Sequence, residues 1–207
     1  MTAEIPRRSF LRLAAATAVA GGLPVMQGGR PAYAQPASPA EWEPDAVLEE
    51  LRAGNVRYLA RHSGIPVGVS RREDFAWGQA PRAVVLTCSD SRVHPDDIFD
   101  QSRGDLFIVR VAGNGVNEDG LASVEYATAV LGARAVVVLG HSHCGAVEEA
   151  EGQPGAKLED AIAANARLTA QELESSPPFI SKAVDKGQVK VVAGVYDLKN
   201  GHVDFFG

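Results

Sequence analysis

Three short runs built almost wholly of apolar residues, 83–87, 106–109 and 135–139, limit what this chain can fold into. They do not alternate apolar with polar. A strand that is apolar on both faces must be covered on both faces, which is the condition of a parallel sheet packed between helices. A fourth run, 189–193, extends the pattern. Helical stretches separate the runs. Residues 45–61 carry Val47, Leu48, Leu51, Val56 and Leu59 at helical spacing, with a break expected at Gly54-Asn55. Asp119 is placed to cap a helix bearing Leu121, Val124, Thr128 and Leu131 that stops at Gly132. Another helix is predicted from about 157 to 173, ended by Pro177-Pro178. Strands alternating with helices give an α/β fold: a single domain with a mainly parallel central β-sheet flanked by helices.

The N-terminus belongs to something else. Arg7-Arg8-Ser9-Phe10-Leu11 is a twin-arginine pattern, an apolar stretch follows over residues 13–25, and Ala32-Tyr33-Ala34 is a small-x-small cleavage site. Residues 1–34 therefore read as an export signal, residues 35–44 as a flexible arm, and residues 45–207 as the folded domain. The competing reading is an uncleaved N-terminal anchor. No later segment is long and apolar enough to span a bilayer, so no stable membrane insertion is expected after cleavage. The expected location is periplasmic or otherwise exported, in a bacterium. A formal net charge of −6 argues against a nucleic-acid partner, which would need a basic footprint.

Two of the apolar runs lead into reactive side chains. The first ends in Cys88-Ser89-Asp90-Ser91-Arg92. If that segment stays extended, Cys88, Asp90 and Arg92 share one side, and Arg92 can grip the Asp90 carboxylate through two hydrogen bonds. The third run ends in Gly140-His141-Ser142-His143-Cys144-Gly145. One helical turn would bring His141 and Cys144 to one face. Both segments leave the C-terminal ends of predicted parallel strands, where open α/β sheets place their sites. Adjacent strands would let Cys88, His141 and Cys144 converge. Two thiolates and an imidazole suit zinc, and three protein ligands leave a fourth position open. A disulfide between Cys88 and Cys144 is the competing reading. His143 could replace His141 as ligand, but its spacing to Cys144 is poorer, and it is read as lining or solvent-facing. His62, His94 and His202 are read as surface residues.

The pair C-S-D-S-R-V at 88–93 and H-S-H-C-G-A at 141–146 resembles the two signature motifs of the β-class carbonic anhydrases. Residues 48–58, Arg110-Val111-Ala112-Gly113-Asn114, Glu125-Tyr126-Ala127 and Val195-Tyr196-Asp197 with Asn200-Gly201 are similar to further segments of that family. The resemblance implies that Cys88, His141 and Cys144 hold one zinc per subunit and that Asp90 and Arg92 form a catalytic dyad. It places Gln79, Phe107, Tyr126 and Gly145 near substrate. The implied activity is reversible hydration of carbon dioxide to bicarbonate by a zinc-bound hydroxide. The implied assembly is a homodimer or higher homo-oligomer with sites at the subunit interface. Val85 stands where some members carry a tryptophan of a second bicarbonate pocket, so none is expected.

One departure stands out. The family continues from its H-x-x-C-G-A-V segment into a longer helical stretch. Here Glu148-Glu149-Ala150-Glu151 runs almost directly into the next helix, as though several turns after Val147 had been deleted. That next helix keeps Asn165 but has Ala166 where the family often has valine. That departure leaves a second reading, a zinc-binding but catalytically impaired member. The resemblance itself leaves a third, a hydrolase of a carbon dioxide analogue such as carbonyl sulfide or carbon disulfide.

Overall fold

A computed structural model describes residues 42–60, 78–152 and 155–206. The expected export signal with its expected cleavage site, residues 35–41 of the expected arm, and His62 lie outside the described residues. The element order is α1 (Pro44–Leu59), β1 (Ala83–Thr87), α2 (Pro95–Ile98), β2 (Leu106–Arg110), a 3-10 turn (Ala112–Asn114), α3 (Glu118–Ala129), β3 (Ala135–His141), α4 (Gly145–Glu151), α5 (Ala156–Glu174), α6 (Ile180–Asp185), β4 (Lys190–Tyr196) and β5 (Val203–Phe206). The sheet order is β2-β1-β3-β4-β5. The first four strands are parallel and β5 pairs antiparallel to β4. Among the described residues no helix is long and apolar enough to cross a membrane.

The sheet is buried on both sides, as the non-alternating runs require. Every residue of β1 and β3 is buried. On one face Val85, Val137 and Leu139 pack under α1 through Leu48 and Leu51. On the other, Val84, Leu86, Val136 and Val138 pack under α3, α5 and α6 through Val124, Ala166, Leu173 and Ile180. Fully burying each such Val, Leu or Ile side chain stabilises the fold by roughly 1.5–3 kcal/mol.

Local details depart from the sequence reading. Gly54-Asn55 does not break α1, which runs unbroken from Pro44 to Leu59. A Cβ at Gly54 would fall onto the Phe99 carbonyl oxygen, so the glycine is there for close approach. Asn55 donates to the carbonyls of Ile98 (3.1 Å) and Gly201 (2.9 Å) and accepts from the Val203 N–H (3.0 Å). This side chain ties α1 to the ends of α2 and β5. The cap of α3 is Asn117, whose side chain accepts from the Gly120 N–H at 2.8 Å; Asp119 lies inside the helix. Trp42, in the expected arm, packs against the core.

Candidate metal centre

β1 and β3 are hydrogen-bonded neighbours, with Thr87 in register with Leu139. The Thr87 hydroxyl also donates to the Leu139 carbonyl at 2.8 Å, locking the two strands together at their C-terminal ends. Cys88 follows β1 directly and His141 is the last residue of β3. Cys144 caps α4. Sulfur, nitrogen and sulfur of these three residues lie within 4.8 Å of one another. Exposures of 5 % for Cys88, 0 % for His141 and 1 % for Cys144 leave the donors little water to bond.

The route to convergence differs from the one expected. Beyond Thr87 the chain does not stay extended. Residues 90–93 form a turn closed by the Val93 N–H to the Asp90 carbonyl at 3.2 Å. Nor do His141 and Cys144 share a helical face. A tight turn at Ser142-His143, with His143 at φ +52°, brings the chain back so that Cys144 opens α4. His143 itself projects outward, its side chain 75 % exposed beside Glu159.

The protonation pattern of His141 fits a metal ligand. Nδ1 lies 3.0 Å from the Ser142 carbonyl, which can only accept, so Nδ1 carries the proton. Nε2 is then a bare lone pair, and it has no hydrogen-bond partner among the described residues. Burial lowers the His141 pKa and keeps the ring neutral. The Asp90 carboxylate oxygen Oδ2 stands 3.7 Å from Nε2, so two acceptors face each other. A cation between such groups would satisfy both. The sulfurs are 3.9 Å apart and both cysteines are free, so the two are not joined in a disulfide. Burial raises the Cys144 pKa, so its thiolate needs a neighbouring cation. The residues present therefore suit zinc.

Arg92 grips Asp90 as expected, with Nε to Oδ1 at 2.9 Å and Nη2 to Oδ2 at 2.7 Å, and the Arg92 backbone N–H adds a third bond to Oδ1. The guanidinium bonds hold the Asp90 carboxyl well below the ordinary carboxylate range, against the opposing effect of burial. Arg92 also reaches the His143 carbonyl at 3.3 Å, joining the two motif segments.

The remaining expected residues divide. Gly145 begins α4 beside Cys144. Gln79, Phe107 and Tyr126 sit elsewhere. Phe107 is in register with Val84, four residues before Cys88, which separates it from the sulfur segment by about 13 Å along the sheet. Its ring lies 6.2 Å from that of Tyr126. Tyr126 and Gln79 line a surface cavity of about 630 Å³ with Gly78, Arg103, Gly104 and Leu131. The three thus gather near the opposite end of β1 from Cys88.

Arg110 has a part that the motifs did not reveal. Its guanidinium donates to the carbonyls of Cys88 (3.2 Å), Asp90 (2.7 Å) and Val93 (2.6 Å), so one side chain from β2 holds the whole Cys88–Asp90 segment. No local pattern signals this, because the bonds join distant stretches through backbone atoms.

The chain matches the family model described as carbonic anhydrase over residues 83–164. Carbonic anhydrase 2 of Mycobacterium tuberculosis is 45 % identical over 108 residues, 52 % of each chain, so the match spans about half the length of that relative. The carbonic anhydrase of Mycolicibacterium smegmatis is 32 % identical over 190 positions, covering 78 % of this chain and 92 % of that protein. The β-carbonic anhydrase CcaA superposes with a TM-score of 0.60 at 26 % identity, covering 79 % of this chain and 94 % of its own. With the strand ends that carry Cys88 and His141 paired side by side, and nine-tenths of a mycobacterial carbonic anhydrase aligned, the chain belongs to the β-class carbonic anhydrase family.

Proposed function

We propose that this chain hydrates carbon dioxide reversibly to bicarbonate and a proton, with zinc held by Cys88, Cys144 and His141. The observation that supports it most is the bare, buried Nε2 of His141 beside two free sulfurs. When bound, zinc supplies a Lewis acid that brings the pKa of a coordinated water toward neutrality. Asp90 stays ionised because Arg92 holds it, so Oδ2 can accept a hydrogen bond from the reacting water and orient it. Arg110 keeps the Asp90 backbone fixed while this happens.

The chain after Val147 leaves the sulfurs covered. Val147, Leu158 and Ile162 form one buried cluster with Cys88 and Cys144. The retained cover favours activity over the impaired reading.

Gln79 and Tyr126 line a cavity toward the opposite end of β1 from Cys88. We infer that a second copy presents them, so that the working unit is at least a homodimer. The arginine pair near the N-terminus supports export of the folded, metal-loaded chain. Stopped-flow hydration beside a zinc measurement tests the function. One zinc per chain with rapid hydration supports it. Zinc without hydration supports the impaired reading, and faster turnover of carbonyl sulfide supports the analogue hydrolase.

A further inference from the structure

The Cys88 sulfur accepts a backbone hydrogen bond from the Gly113 N–H at 3.3 Å. Gly113 sits in the 3-10 turn at φ +72°, a conformation open to glycine and costly for other residues. The peptide on its far side is held from two directions: the Asn165 side-chain amide donates to the Gly113 carbonyl at 2.7 Å, and the Asn114 N–H donates to the Val111 carbonyl at 2.8 Å. Holding that peptide restrains the freely rotating glycine, and through it the N–H on its near side. Asn165 stands on α5 between Ile162 and Ala166, both fully buried, so the donor comes from a packed helix. That helix approaches the sheet closely where a Cβ on Gly140, the residue before His141, would meet Ile162 at 3.3 Å.

We propose that Asn165 is a positioning residue for the Cys88 sulfur, acting through the Gly113 N–H. The inference rests on the zinc reading above. Two thiolates make a metal a weaker Lewis acid than neutral imidazoles would. An N–H aimed at one sulfur withdraws part of its charge, and Asn165 keeps that N–H aimed. Outer-shell partners of this kind orient and tune the ligands they touch.

The test uses the full chain loaded with zinc or with cobalt(II), comparing wild type with Asn165→Ala, Asn165→Asp and Leu168→Ala. Asn165→Asp keeps the shape but cannot donate when ionised, so it decides the matter if the alanine variant folds poorly. Leu168, 65 % exposed on the same helix, is the control. Both Asn165 variants should bind zinc on the order of 10- to 100-fold more weakly. Their sulfur-to-cobalt absorption should move to lower energy, while Leu168→Ala matches wild type. Folded Asn165 variants with wild-type zinc affinity and an unmoved band would overturn this inference alone. Wild type that takes up neither ion would overturn the metal-centre reading, and this inference with it.

Discussion

His141 Nε2 and Asp90 Oδ2 face each other at 3.7 Å, one a bare lone pair and the other an ionised oxygen. Neither can donate to the other. The arrangement makes sense around a positive centre, and it divides the site's residues into those that hold the metal and those that direct the water.

Asp90→Asn should keep the metal and lose most hydration activity. The three ligands are untouched, but the amide no longer offers a fully charged acceptor, and its pairing with Arg92 is weakened. Loss of a positioned proton acceptor costs about 10²- to 10⁴-fold in rate. Zinc content measured beside the hydration rate checks this.

If the cavity residues serve a second chain, activity should return on mixing two defective chains. Tyr126→Ala lacks the cavity ring and Cys144→Ser lacks a ligand. A mixed dimer contains one metal set facing one intact cavity. Co-expression should therefore give activity above that of either variant alone, measured on purified heterodimer. Activity no higher than the parents would place substrate recognition within a single chain.

Gly54→Ala should destabilise the fold although it lies inside a helix. Such a change ordinarily gains roughly 1 kcal/mol from helix propensity. Here the new methyl meets the Phe99 carbonyl, and overpacking of this kind costs roughly 1–3 kcal/mol or more. Asn55→Ala removes three buried hydrogen bonds and should cost roughly 2–4 kcal/mol. Urea unfolding midpoints report both.

Much of the sheet was legible because burial on both faces leaves a plain trace: an unbroken apolar run. β1 and β3 show it, and their ends carry the reactive residues. β5 escaped notice because it is a four-residue edge strand, with Val203 buried and Asp204 exposed, too short for a pattern. The apparent break at Gly54-Asn55 was misread for a different reason. Local rules see a helix breaker and cannot see the carbonyl of Phe99 approaching from another segment. The ligand types and their strand ends were readable. The turns that deliver them were not, since they depend on His143 entering the left-handed region and on Arg110 reaching back over three carbonyls.

Removing the metal should leave two thiols 3.9 Å apart and open to oxidation. With oxidised glutathione, the metal-free chain should form a Cys88–Cys144 disulfide. Two thiol protons and two electrons pass to the oxidant, which leaves as two reduced glutathiones. Thiol titration and a mass lower by two hydrogens report it. The zinc-loaded chain should retain both thiols under the same treatment.

X-ray absorption at the zinc edge examines the metal centre most directly, because it counts the atoms around the ion. Two sulfurs at about 2.3 Å and one nitrogen at about 2.0–2.1 Å, completed by one light atom, are expected. Cys144→Ser should lose one of those sulfurs or the metal altogether. A shell without sulfur, or one unchanged in Cys144→Ser, would contradict the assignment.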